Sequence, residues 1–402
     1  MKYIIVLGDG MADEPMVNYN NKTPLQLAHK PSIDYLAKWG RTGRLQTVPD
    51  GMHPGSEVAN MAVLGYDVPV VYEGRGTLEA ASMGVQLQDG DLAMRCNLIS
   101  VFNGRFKNHS AGHISDEESH ELIDYLNAEL GSERVVFHKG VSYRHVLVIK
   151  GGKKELDCTP PHDVPGKLLV EHLPKSLGDE ANSTAELLVE LIEKSTDLLQ
   201  KHPINLKRVA EGKDAADCIW PWSPGYRPAM PTLKDMLGVQ KSAVISAVDL
   251  IQGIGFYAGM EVIKVEGATG LYNTNFEGKA QAAINALKQG ADLVFLHIEA
   301  SDEAGHEGNA ELKIKTIEYL DQRVVKYLLE ESKKMNEPVA IAVLPDHPTP
   351  CATTIHTRTP VPFLIYKPNV TPDEVQVYDE FSVEKGSCGL LKGDEFIKMF
   401  LA

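Results

Sequence analysis

The chain opens on Tyr3-Ile4-Ile5-Val6-Leu7, a continuous apolar run of strand length closed by Gly8. The same texture returns at Asp292–Ile298, Pro338–Leu344 and Val361–Tyr366. These runs are continuous, not alternating, as in strands covered on both faces. Between them the spacing turns helical. A short helix over Ile33–Trp39 stops at Gly40, and one over Asn275–Gln289 stops at Gly290. Ile317, Leu320, Val324 and Leu328 form one apolar face of a long helix. Ala243–Ala247 and Glu261–Val265 read as two further strands. Strands alternating with helices predict a doubly wound, mostly parallel α/β sheet.

From Pro69 to Tyr226 the pattern changes. Strands joined by turns, such as Val135–Phe137 and Ser142–Lys150, are interrupted by amphipathic helices near Glu118–Leu130 and Thr184–Lys201. We read residues 69–226 as an α+β domain inserted into the first, so that 1–68 and 227–402 form one discontinuous domain. The length of 402 residues suits two cores better than one.

Composition narrows the partners. The net charge is −15 and no basic run exists, which disfavours nucleic acid and anionic membranes. No apolar run reaches the roughly 18 residues of a membrane span. The N-terminal run ends at Asp9, too soon for a signal peptide. Five scattered cysteines, an odd count without a CxxC pair, suit a reducing compartment. The expected location is the cytoplasm, and a homo-oligomer is left open. An acidic protein handling an anionic substrate must concentrate positive charge locally, from metals or from arginines such as Arg75, Arg95, Arg105 and Arg144.

The candidate chemistry sits where the buried runs end. Asp302 and His306 are four residues apart after the Asp292–Ile298 run; on a helix both point to one side and can share a divalent metal. Asp9 follows the first run between two glycines, Asp346 and His347 follow the third, and His356 lies in the loop before the fourth. Ligands in open α/β sheets lie at such strand ends. A mixed Asp and His set without Cys suits Mn²⁺ or Zn²⁺ in a two-metal site, with Mg²⁺ a third option. Ser56 stands at a Gly- and Pro-rich turn where a helix begins; its ordinary role there is an N-cap, and as a nucleophile it would need a metal or a base. No Gly-x-Ser-x-Gly elbow and no GxxxxGK[ST] loop occur, and Gly253–Gly259 departs from the dinucleotide fingerprint.

Taken together, Gly8-Asp9-Gly10, Pro54-Gly55-Ser56 with Val58-Ala59-Asn60, Asp302-Glu303-Ala304-Gly305-His306, Asp346-His347-Pro348-Thr349-Pro350 and His356 resemble the alkaline phosphatase superfamily. The nearest resemblance is to the archaeal-type, 2,3-bisphosphoglycerate-independent phosphoglycerate mutases, and it runs nearly end to end. It implies one metal held by Asp302, His306 and His356, and a second by Asp9, Ser56, Asp346 and His347. It implies Ser56 as a transient phosphoserine, 3-phosphoglycerate and 2-phosphoglycerate as the small phosphorylated acids, and no 2,3-bisphosphoglycerate cofactor. Arg75, Arg95, His113 and Arg144 of the inserted domain would bind substrate.

One segment departs from that pattern. Where the mutases carry an arginine-rich run, this chain has Asn108-His109-Ser110-Ala111-Gly112-His113-Ile114. With Val141-Ser142-Tyr143-Arg144-His145, it is similar to a sister group proposed to phosphorylate homoserine. A homoserine kinase-like phosphotransferase and a two-metal phosphatase are therefore the alternative readings.

Overall fold

The computed structural model describes residues 1–402. Two compact units emerge from it: unit 1 is Met1–Tyr72 with Met230–Ala402, and unit 2 is Glu73–Ala229. Along the chain, β1 (Lys2–Gly8) and β2 (Arg41–Gln46) belong to unit 1. Unit 2 carries β3 (Asp91–Phe102), β4 (Arg105–Asn108), β5 (Val135–Val141), β6 (Arg144–Lys150), β7 (Leu156–Asp157), β8 (Lys175–Ser176) and β9 (Cys218–Gly225). Unit 1 resumes with β10 (Ser242–Ile245), β11 (Glu261–Ile263), β12 (Leu293–Ile298), β13 (Val339–Leu344), β14 (Val361–Tyr366) and β15 (Gly389–Lys392).

The unit 1 sheet has eight strands in the order β11-β10-β12-β1-β13-β14-β2-β15. β11, β10, β12, β1 and β13 run parallel, while β14 is antiparallel to both β13 and β2. Every residue of β12 and β13 is buried, as the continuous apolar runs require. Ile4, Val6, Val294, Leu296, Ile341 and Val343 point to one face, where they pack with helices Pro31–Lys38, Phe276–Lys288 and the segment from Ala310 to Ser332. The alternate residues meet the other side; there Tyr3 touches Phe400 of the C-terminal helix. The glycine-rich run lies in helix Asp249–Tyr257, and a Cβ at Gly255 would press into Val244 of β10, so that glycine serves close helix–sheet packing. The long helix expected over 317–328 is α-helical up to Tyr319 and then passes through a π-helical segment, Leu320–Val325.

In unit 2, β4-β3-β6-β5 form an antiparallel sheet, with β9 along the other side of β3. Met94, Cys96, Leu98, Leu147 and Ile149 share an apolar core with helices Asp116–Leu130 and Asn182–Leu199. Ala93, Val146 and Val148 form a smaller cluster with Ala80 of helix Arg75–Ser82. No helix in either unit is long and apolar enough to cross a membrane.

Candidate functional site

β1 pairs with β12 on one side and β13 on the other, with Gly8 beside Ile298 and Leu7 beside Leu344. The three strand ends therefore deliver Asp9, then the helix Ala300–His306, then Asp346 and His347, into one place. That helix puts Asp302 and His306 one turn apart, and His306 Nε2 lies 3.1 Å from Asp302 Oδ2. His356, in the loop ahead of β14, brings Nε2 to 3.4 Å from Asp302 Oδ1.

The imidazoles are oriented from behind. His306 Nδ1 faces the Thr354 carbonyl at 2.9 Å, and His356 Nδ1 faces the Pro54 carbonyl at 2.7 Å. A carbonyl only accepts, so both Nδ1 atoms carry hydrogen and a neutral ring keeps its lone pair on Nε2. Those two Nε2 atoms then face each other at 2.9 Å. Thr349 Oγ1 donates to Asp302 Oδ1 at 2.5 Å, which leaves its lone pair for His347 Nδ1 at 3.3 Å. His347 Nε2 is thereby turned toward Asp9 Oδ1 at 3.6 Å, Asp346 Oδ2 at 3.4 Å and Ser56 Oγ at 3.1 Å.

The carboxylates are packed as tightly. Asp9, Asp302 and Asp346 are all buried. Asp346 Oδ1 accepts the Gly10 and His347 N–H groups, and Oδ2 accepts Asn60 Nδ2 at 2.9 Å. Burial, then the charges of Asp346 and Asp302, push the Asp9 carboxyl well above its usual range. Burial would also lift Asp302, but hydrogen bonds from His306 and His356 bring it well below that range. The hydrogen bond to Asp302 holds His306 up at about 9.

Two groups of ligand atoms result, Asp302 with His347 and His356, and Asp9 with His297 and Asp346, each within 4.8 Å of one another. With both rings neutral, two opposed lone pairs and three buried carboxylates leave the site short of positive charge; the proton His306 holds beside Asp302 answers the same shortage, and Asp9 Oδ1 is buried without a hydrogen-bond partner. The donor set therefore fits divalent cations with nitrogen and oxygen ligands.

Ser56 is the first residue of helix Ser56–Val63, and Gly55 is its N-cap. The Ser56 side chain makes no capping bond, so the ordinary reading of this serine does not describe it. Its hydroxyl points to His347, while Asn60 one turn on holds both the Ser56 carbonyl and Asp346.

His297 was not singled out by sequence, because it lies inside the apolar run that became β12. The signal was present: one imidazole among residues that are otherwise all apolar.

In unit 2 the face of β3 carrying Arg95 and Asn97 is polar. Arg95 donates to Glu79 Oε1 at 3.0 Å and to Asn97, and stacks 5.0 Å from the Trp222 ring. Asn97 stands opposite Arg144, whose guanidinium is 5.7 Å from the Tyr143 ring. Burial pushes the Arg95 pKa down; Glu79 opposes this, while Arg75 and Arg144 add to it. The exposed His109 and His113 both lie against Tyr143, at 5.9 and 6.3 Å between rings. Arg105 is elsewhere, exposed at the far end of β3 and bound to the Gly166 carbonyl.

Comparison with known proteins follows the same lines. A family described as 2,3-bisphosphoglycerate-independent phosphoglycerate mutase matches residues 37–205. The protein of that name from Methanosarcina acetivorans is 50% identical, covering 100% of both chains. That from Thermococcus kodakarensis is 36% identical, over 100% of this chain and 96% of its own. A solved protein from Pyrococcus horikoshii is similar with a TM-score of 0.83 and 30% identity, over 100% of this chain and 96% of that one. The cofactor-independent phosphoglycerate mutase of Thermoplasma acidophilum gives 0.70 and 27%, over 100% and 99%. With identity of this level along its full length, the chain belongs to the family of 2,3-bisphosphoglycerate-independent phosphoglycerate mutases.

Proposed function

We propose that the chain interconverts 3-phosphoglycerate and 2-phosphoglycerate through a phosphoserine at Ser56. The observation that carries this is the Ser56 hydroxyl, free of any capping role and 3.1 Å from His347 in a nest of buried carboxylates and imidazoles. Asp302, His306 and His356 would hold one divalent ion, Mn²⁺ or Zn²⁺; Asp9, Ser56, Asp346 and His347 would hold the other. Such ions, when bound, supply the charge that lowers the serine pKa and offsets charge building on the phosphoryl oxygens.

The chain's own residues do the rest. Ser56 Oγ gives up its proton and forms a bond to phosphorus as the bond from phosphorus to the 3-oxygen breaks. The 3-oxygen takes a proton and glycerate remains. The 2-hydroxyl then loses its proton and attacks the same phosphorus, and Ser56 leaves and is reprotonated. Atoms balance with no donor besides the substrate, so no 2,3-bisphosphoglycerate is required. The N–H groups at the start of helix Ser56–Val63 favour the phosphoryl oxygens. Unit 2 is the substrate-binding domain in this reading. Crowding of Arg95 by Arg75 and Arg144 is relieved by an anion, which supports these arginines, with His113, as the residues that take the acid's carboxylate and phosphate.

A direct test is an assay of full-length protein in Mn²⁺ with 3-phosphoglycerate, beside homoserine with several phosphoryl donors. Formation of 2-phosphoglycerate is expected. Phosphohomoserine alone, or release of inorganic phosphate alone, would replace the mutase reading with a kinase or a phosphatase.

A further inference from the structure

A line of hydrogen bonds crosses three neighbouring strands of the unit 1 sheet and ends on a carboxylate of the metal centre. β10 pairs with β12 so that Ile245 lies beside Leu296, and β12 pairs with β1 so that His297 lies beside Leu7. Ser246, one residue beyond β10, thus meets His297, and His297 meets Asp9, one residue beyond β1. Ser246 Oγ accepts the Val248 N–H at 3.0 Å and lies 3.1 Å from His297 Nδ1. His297 Nε2 lies 2.9 Å from Asp9 Oδ2. His297 is 0% exposed, Asp9 1% and Ser246 4%, so the line is shielded from bulk solvent.

Direction follows from what each atom can do. With Asp9 ionised, as a bound cation would keep it, its carboxylate only accepts, so Nε2 carries the ring hydrogen. Nδ1 is then the acceptor, and the Ser246 hydroxyl donates to it while receiving from Val248. Every hydrogen on the line then has an acceptor. Both ring nitrogens are engaged, so His297 has no lone pair to give a cation, although one of them lies within 4.8 Å of ligand atoms of Asp9 and Asp346. The other oxygen of Asp9 is treated differently: Oδ1 is buried, has no hydrogen-bond partner and is turned toward His347 Nε2 at 3.6 Å.

We propose that His297, with its tautomer set by Ser246, is the positioning residue of this centre, occupying Asp9 Oδ2 so that Oδ1 alone is presented to the cation. A carboxylate held by one oxygen cannot turn or chelate through both, and a hydrogen bond from an imidazole fixes it at the geometry the second ion needs. The main chain is held as well: Ser301 Oγ donates to the Asp9 carbonyl at 2.6 Å, and the buried Lys279 ammonium lies 3.4 Å from the His297 carbonyl. The inference rests on the two-ion reading above.

The test is a Mn²⁺ titration of full-length wild type, His297→Ala, His297→Gln and Ser246→Ala, followed by isothermal calorimetry and by the electron spin resonance of bound Mn²⁺. Wild type should bind two ions with a coupled-pair spectrum. His297→Ala should weaken one of the two by about 10- to 100-fold and leave an isolated-ion spectrum at low Mn²⁺. His297→Gln, whose amide can still donate to Asp9, should recover most of that loss, and Ser246→Ala should fall between. Wild-type affinity for both ions in His297→Ala, or no recovery in His297→Gln, overturns the proposal and leaves the two-ion reading standing. Fewer than two ions in wild type overturns both. If His297→Ala does not fold, Ser246→Ala decides: two tight ions there reject the role of the line.

Discussion

Ser56 is a residue whose neighbours reassign it. Pro54-Gly55-Ser56 reads as a cap, but Gly55 takes the cap position and frees the hydroxyl. Ser56→Ala should therefore leave the thermal midpoint within a few degrees and Mn²⁺ binding at the other ion intact, while turnover falls by several orders of magnitude. A brief incubation with 3-phosphoglycerate should put phosphate on the Ser56 peptide of wild type, read by mass spectrometry. Lys313 makes the opposite case. It is fully buried, and its ammonium donates to Asp13 Oδ2 at 2.8 Å and to the Ala12 and Thr349 carbonyls, tying the loop after Asp9 to the loop after His347. Lys313→Met removes the cation paired with Asp13 and leaves its buried carboxyl to main-chain N–H groups alone; a loss of about 3–5 kcal/mol in urea unfolding is expected. The Asp and His residues proposed as ligands were legible as candidates because each stands at the end of an apolar run or in the loop just before one. Lys313 was not, because a polar residue inside a helical periodicity announces neither its burial nor its partner; His297 announced its burial by standing in a continuous apolar run, but not its partners.

Elements were legible where burial is two-sided. β1, β12, β13 and β14 were predicted within a residue at each end, since only a covered strand tolerates so many consecutive apolar residues. Direction was not: β14 reads like the others yet runs antiparallel. β2, Arg-Thr-Gly-Arg-Leu-Gln, carries too little apolar signal to stand out. β9 contains two prolines, which argue against a strand, yet it pairs only with β3 and leaves one side free, where proline is tolerated. The packing of elements gives two expectations. In Gly255→Ala the new methyl pushes helix Asp249–Tyr257 away from β10, and thermal unfolding should show a loss of about 1–3 kcal/mol. The loop carrying Glu380 is locked to the N-terminal region by Thr23 Oγ1 at 2.7 Å and the Asp13 N–H at 3.0 Å. Burial raises the Glu380 carboxyl to about 7. The folded state then holds the proton more tightly than the unfolded one. Its contribution is complete below about pH 4.5 and is lost as pH rises through 7. Glu380→Gln should flatten that slope by roughly 1–2 kcal/mol between pH 4.5 and 8, measured by urea unfolding. The value lies below the full shift because the side chain keeps some solvent.

At the scale of the molecule, the texture of the sequence changes at residues 69–226, and the chain divides into its two compact units at Tyr72/Glu73 and Ala229/Met230. A chain of net charge −15 gathers Asp9, Asp302 and Asp346 in one buried place, the charge that the proposed ions would offset. Mn²⁺ at about 100 times its dissociation constant should stabilise the fold by roughly 2.7 kcal/mol per site, and a chelator should reverse it. A midpoint of thermal unfolding indifferent to both would rule out a resident ion.

The strand order has one more consequence, for synthesis. β1 lies between β12 and β13, so its partners, residues 293–298 and 339–344, leave the ribosome long after it does. Unit 2 is a continuous stretch, 73–229, and can close its own sheet in the meantime. The first strand made is thus among the last to be paired, and its apolar edges must wait through most of translation, a stage at which chaperones have something to hold. On the two-ion reading, a chain cut short before Asp346 would carry Ser56 and Asp9 but not the proposed centre, and is expected to be inert.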